Sequence, residues 1–209
     1  MLVHARVWLT GILLLLAMPL WAAGYDEGIE YKSVSPRVAN HIDDGKTEVV
    51  EMFWYGCSHC FAFEPNLHEW LKTKPANVNF VRVPAVFNPR WGLHARAYYT
   101  AEVLGVLDKT HQALFDAMHL KKQKMESSDE LASFFAAHGV SKEKFIETFN
   151  SFAVDAKVRR ATDLTQRYAI DGVPTLIVNG KYRTSGSMAG SREKMLLVVD
   201  HLIKQEAKD

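Results

Sequence analysis

The sequence is poor in cysteine. Only Cys57 and Cys60 occur among its 209 residues, which excludes a fold stapled by several disulfides. A bridge between residues three apart closes almost no loop and removes little entropy from the unfolded chain, so it makes a poor staple. A zinc site lacks donors as well, because one Cys-x-x-Cys supplies half of the usual tetrahedral set. Haem attachment through this motif needs His directly after the second cysteine, and position 61 is Phe. Charge of either sign is not in excess: the formal net charge is +1, so no basic surplus points to nucleic acid. Internal repeats and low-complexity stretches are missing too. With 48% hydrophobic and 23% charged residues the balance is that of an ordinary globular chain. The length fits one domain, or one domain with an insertion.

An apolar run long enough to span a membrane is also lacking. Val7 to Trp21 is uncharged but only about 15 residues long, short of the roughly 20 a spanning helix needs. His4 and Arg6 precede it and Ala22-Ala23-Gly24 follow. Residues 1–22 therefore read as a secretory signal peptide, with cleavage expected between Ala22 and Tyr25. An uncleaved anchor is the alternative.

What is present is a patterned α/β chain. Tyr25 to Pro36 reads as a short edge strand or an arm. Thr47 to Tyr55 has the β-branched and aromatic content of a buried strand, and Gly56 breaks it. From Ser58 or His59 the spacing of Phe61, Phe63, Leu67, Trp70 and Leu71 turns helical, with Pro65 inside. Val78 to Val83 is a second strand, ended by Pro84. Helical patterns follow over 91–107 and 111–119. Ser127 with Glu130 reads as a capping box, with Gly139 closing that helix. Further helices are expected from Ser141 and over about 154–168. Val173 to Val178 returns to strand character, Asn179-Gly180 is a strong hairpin signal, and a last helix runs over 191–204. Together these predict a small mixed sheet with a helical insertion between its second and third strands.

The segment Phe53-Trp54-Tyr55-Gly56-Cys57-Ser58-His59-Cys60, with Glu64 just after it and Gly172-Val173-Pro174-Thr175 far downstream, resembles the DsbA family of periplasmic thiol oxidases. The resemblance covers nearly all of the chain after the signal. It implies a thioredoxin fold with an inserted all-helical domain: residues 23–86 and 166–209 forming the thioredoxin-like part, and 87–165 the insertion. It also implies periplasmic disulfide donation to reduced exported proteins, reoxidation by a quinone-linked inner-membrane oxidase, and a hydrophobic groove beside Cys57 for extended peptide. No cofactor or metal is called for, since the two sulfurs carry both electrons, and a monomer is expected. Ser58 departs from the family, where many members have Pro between the first Cys and the His.

The residues assign the chemistry as follows. Cys57, just before the first helical turn, is the candidate nucleophile, because unpaired backbone N–H groups and the helix dipole favour a thiolate there. His59 adds a donor or a charge beside it; both effects depress a thiol pKa. Cys60, one turn deeper, is the partner sulfur. Ser58 either caps the helix or tunes the pair. Glu51, midway in an apolar strand, is either a solvent-facing position or a buried acid that handles protons, paired with Arg82. Glu64 is either part of a solvated helix face or, by the resemblance, a second acid of the site. Pro174 on sequence alone is a trans proline at a strand start; the resemblance makes it cis, facing the cysteines, with the Val173 backbone pairing with bound peptide. A reductase or isomerase, or a copper carrier binding through Cys57, His59 and Cys60, are the alternative readings.

Overall fold

The computed structural model describes residues 24–39 and 45–207. The signal segment 1–22 lies outside the described residues. Strand β1 (Lys32–Ser33) is followed by β2 (Thr47–Phe53), helix α1 (Ser58–Thr73) and β3 (Val78–Pro84). Five helices come next: α2 (Pro89–Val103), α3 (Leu107–His119), α4 (Ser128–Ala136), α5 (Lys142–Phe149) and α6 (Phe152–Arg167). The chain then returns as β4 (Thr175–Val178), β5 (Tyr182–Ser185), the short α7 (Gly186–Ala189) and α8 (Arg192–Glu206).

The strands form one sheet in the order β1-β5-β4-β2-β3. β2 and β3 are parallel, joined by α1 as crossover, and the remaining pairings are antiparallel. The expected mixed sheet with helices inserted between β3 and β4 is therefore present. β2 lies in the sheet interior, which is why its residues are apolar on both faces rather than alternating. On one face Val49, Leu176 and Val178 pack with Phe63 and Leu67 of α1 and with Met195, Val199 and Leu202 of α8. Val50, Met52 and Ile177, which alternate with them, join a second core built with Leu114, Phe115, Phe135, Phe145 and Val154 of the inserted helices. Each helix of the insertion thus buries an apolar stripe against the sheet or against a neighbouring helix.

Several local signals produce the expected structure, and two differ in detail. Asn179 and Gly180 both take positive φ, 51° and 62°, as a two-residue type I′ turn requires. Ser127 Oγ accepts from Glu130 N at 3.2 Å. The return arm of the expected capping box goes elsewhere, because the Glu130 carboxylate accepts from Glu126 N and not from the Ser127 N–H. The four-residue α7 was not anticipated; its run Gly-Ser-Met-Ala is too short to show a period.

Gly180 is fixed by space as well as by conformation. A Cβ there would stand 2.0 Å from the Val38 carbonyl oxygen, while Val38 N donates to Gly180 O at 3.0 Å. Gly180→Ala is expected to lower unfolding free energy by about 2–4 kcal/mol, more than the roughly 1 kcal/mol for the backbone conformation alone. Urea denaturation of the two proteins measures it.

Candidate redox site

The site is built where β2 ends. Cys57 is the N-cap of α1, with extended backbone at φ −90° and ψ 116°. Its sulfur accepts from Cys60 N at 3.3 Å, and its thiol donates to Val173 O at 3.3 Å. Capping therefore falls to Cys57 and not to Ser58, which is the first residue of the helix and is exposed. His59 is exposed as well, Cys57 is half-buried, and Cys60 is fully buried. Neither cysteine is in a disulfide here. The Val173–Pro174 bond is cis, as the resemblance implies, and the Val173 carbonyl lies against the nucleophile.

The two thiols are driven in opposite directions. A hydrogen bond from the Cys60 thiol is the largest influence on Cys57, and burial opposes it. The backbone N–H groups of Cys60 and His59, and the His59 charge, add to the first effect and bring Cys57 down to about 6. Burial first, then the donated hydrogen bond and the charge of Cys57, push Cys60 well above the usual thiol range.

Glu51 and Glu64 are both brought to the site, and both are buried, at 0% and 6% exposure. For Glu51 the structure excludes the solvent-facing alternative, and for Glu64 the solvated helix face. Glu51 pairs in register with Arg82 across β2 and β3, and Arg82 Nε donates to Glu51 Oε2 at 3.0 Å. The same guanidinium donates through Nη2 to Glu64 Oε2 at 3.0 Å. Two buried carboxyls thus share one partly exposed cation. Burial is the dominant influence on Glu51 and pushes it up to about 8 despite Arg82. Burial also acts upward on Glu64, but facing His111 and Arg82 outweigh it and hold that carboxyl below its usual range. The opposite directions of the two shifts favour a balanced trio, with Arg82 and Glu64 charged and the proton held on Glu51.

Three histidines of the insertion fasten the turn before Cys57, and nothing in the sequence reading singled them out. Trp54 Nε1 donates to His94 Nδ1 at 2.9 Å, and His94 Nε2 lies 2.9 Å from Met125 O. His94 must then carry its proton on Nε2 and be neutral, and its burial lowers its pKa. His119 Nε2 donates to Tyr55 O at 2.8 Å and its ring stacks on Phe61 at 4.8 Å. The Tyr55 hydroxyl and His111 Nδ1 are 2.9 Å apart. With the hydroxyl donating, the His111 proton sits on Nε2, 3.5 Å from Glu64 Oε1, too long for a good hydrogen bond. Trp54 also stacks on Trp91 at 4.2 Å and folds over Gly56, where a Cβ would stand 2.3 Å from its ring. Among the described residues no group of three His, Cys, Asp or Glu side chains is arranged to hold a metal ion, and no helix is long and apolar enough to cross a membrane.

The raised Glu51 pKa has a stability signature. Protonated Glu51 is the form the fold prefers, so its contribution is full below the unfolded value of 4.5 and is lost as pH rises through about 8. Glu51→Gln mimics the protonated form. In the oxidised protein, where neither thiol titrates, the parent is expected to lose on the order of 3 kcal/mol relative to this variant between pH 5 and pH 9. Denaturation of both proteins across that range measures the difference; parallel curves would count against a buried, protonated Glu51.

The chain resembles known proteins in sequence and in fold. The family model of the DSBA-like thioredoxin domain matches residues 82–196. The thiol:disulfide interchange protein DsbA of Pseudomonas aeruginosa is 44% identical over 192 residues, covering 92% of this chain and 90% of its own length. The crystal structure of Pseudomonas aeruginosa DsbA superposes with a TM-score of 0.82, covering 87% of this chain and 94% of that one. The oxidoreductase DsbA from Xylella fastidiosa, 35% identical, gives the same TM-score and covers 88% of this chain and 99% of its own. A likeness this close over almost the full length of both partners, on a chain whose Cys57 caps the helix that carries Cys60, leads to one assignment: this chain belongs to the DsbA family, oxidoreductases of the thioredoxin fold that interchange thiols and disulfides.

Proposed function

We propose that this protein is a periplasmic oxidase that passes a Cys57–Cys60 disulfide to newly exported polypeptides and is then reoxidised by a quinone-linked oxidase of the inner membrane. The observation that carries the reading is the placement of the two sulfurs: Cys57 caps α1 with its sulfur accepting from Cys60 N at 3.3 Å, while Cys60 is fully buried, so Cys57 is driven down to about 6 and Cys60 well up. A dithiol whose reduced form is stabilised as a thiolate gives a disulfide that is easily broken, a relation for which this family is itself an established example. In this reading residues 23–86 and 166–209 are the thioredoxin-like part, and residues 87–165 are the inserted helical domain that steadies the turn before Cys57.

The reaction runs in two exchanges. A client thiolate attacks Cys57 Sγ, the more accessible of the two sulfurs; the Cys57–Cys60 bond breaks as a mixed disulfide forms. Cys60 leaves with the electron pair, and its high pKa demands a proton. Glu51, protonated below about 8 and electrostatically linked to both thiols, supplies it. The client's second thiolate then attacks the client sulfur of the mixed disulfide. Cys57 leaves as a thiolate, well suited to the task by its low pKa. The client gains one disulfide and the enzyme keeps two electrons. Ser58, His59 and Glu64 tune the pair, and the Val173 backbone beside Pro174 pairs with the client chain.

Thiolate absorbance of the reduced protein is expected to titrate with a midpoint near pH 6. Cys60→Ala should move that midpoint upward, since it removes the strongest single influence on Cys57. Cys57→Ala should abolish oxidation of reduced client peptides. A midpoint near the ordinary thiol value, with a reduction potential near the roughly −270 mV of thioredoxin in glutathione buffers, would instead mark a reductase.

A further inference from the structure

The cleft beside the redox pair sets polar side chains among apolar surface. It has a volume of about 500 Å³, and among its lining residues only Val173 and Pro174 carry apolar side chains. His59, Asp171, three serines and Arg192 supply most of the rest. Nearly all of these polar groups have partners. Ser191 Oγ caps α8 by accepting from Lys194 N at 3.1 Å. Ser185 Oγ accepts from Met188 N at 3.4 Å and lies 2.9 Å from Ser187 Oγ. Asp171 Oδ1 faces Arg183 Nη1 at 3.6 Å.

Arg192 differs. Its Nε is buried and makes no hydrogen bond. Among the described residues no carboxylate lies within ion-pair distance of it; the adjacent Glu193 is fully exposed and only feels its charge. A buried donor without an acceptor costs free energy until something satisfies it. A guanidinium also offers its N–H groups as a planar fork that matches a carboxylate. The cleft reaches the nucleophile through Val173, whose carbonyl oxygen stands 3.3 Å from Cys57 Sγ. A chain segment lying there presents its cysteine to Cys57 and its neighbouring side chains to Arg192.

We infer that Arg192 is a specificity residue that receives an Asp or Glu side chain of the client polypeptide, so that acidic segments flanking a cysteine are oxidised in preference to basic ones. The inference rests on the oxidase reading above and deepens it. The oxidised full-length enzyme is mixed with reduced dithiol peptides identical except at one position, scanned on either side of the reacting cysteine, that holds Glu, Gln or Lys. The second-order rate constant of oxidation is measured for each. At the best position the Glu peptide is expected to react roughly tenfold faster than the Lys peptide at low salt, with the ratio shrinking as ionic strength rises. Arg192→Met should bring the ratio close to one, and Arg192→Glu should invert it. Each ratio is taken within a single variant, so a general change in rate cancels. Oxidation of all peptides without charge preference, or a preference that survives Arg192→Met, would overturn this inference alone. Failure of the parent enzyme to oxidise any of the peptides would overturn the oxidase reading and this inference with it.

Discussion

The first turn of a helix has backbone N–H groups with no partner inside the helix, and in this protein one of them is given to sulfur. An N-cap is ordinarily Ser, Thr, Asp or Asn, whose oxygen accepts well in its neutral or usual charged form. Cys57 takes that place in α1, and a thiol is a weak acceptor where a thiolate is a strong one. The helix therefore favours ionisation of the residue that starts it. The Cys60 thiol adds its hydrogen bond to the same atom, so one contact lowers the Cys57 pKa and adds to the rise that burial imposes on Cys60.

Beneath the sulfurs the core faces a problem of charge. Two carboxyls and one guanidinium, all ionised, would leave an unbalanced negative charge out of water, which is expensive. Keeping a proton on Glu51 resolves it. Two features of the fold place that proton: the parallel register that sets Glu51 opposite Arg82, and the four-residue spacing on α1 that carries Glu64 one turn beyond Cys60. The trio is thus neutral as a whole, and Glu51 remains electrostatically linked to both thiols.

Local chemistry in the sequence announces much of this. The Asn179-Gly180 hairpin, the buried β2 and the helix following Cys57 each rest on signals a few residues long, and each appears where those signals put it. The positions that depended on distant partners were ambiguous. Alternation alone could not say whether Glu51 faces solvent, because a central strand covered on both sides is apolar throughout and its partner Arg82 is supplied by the pairing of another strand. Ser58 looked like the cap because serine commonly is one, yet the chain enters the helix one residue earlier. His94, His111 and His119 lie on two helices of the insertion without any shared pattern. Their common purpose exists only once the insertion folds back over residues 54 and 55, and a lone histidine on an apolar helix gives no hint of it.

Those imidazoles bear on any attempt to transplant the redox segment. Trp54 brings an indole N–H, and Tyr55 brings a hydroxyl and a backbone carbonyl, and each finds its acceptor or donor on a different histidine of the insertion. Grafted onto a plain thioredoxin scaffold, the octapeptide Phe53 to Cys60 would arrive with three polar groups seeking partners that the host does not own. The motif is portable as letters but not as a machine: its recipient would have to import the histidine-bearing helices too, or trade Trp54 and Tyr55 for residues that ask nothing of their surroundings.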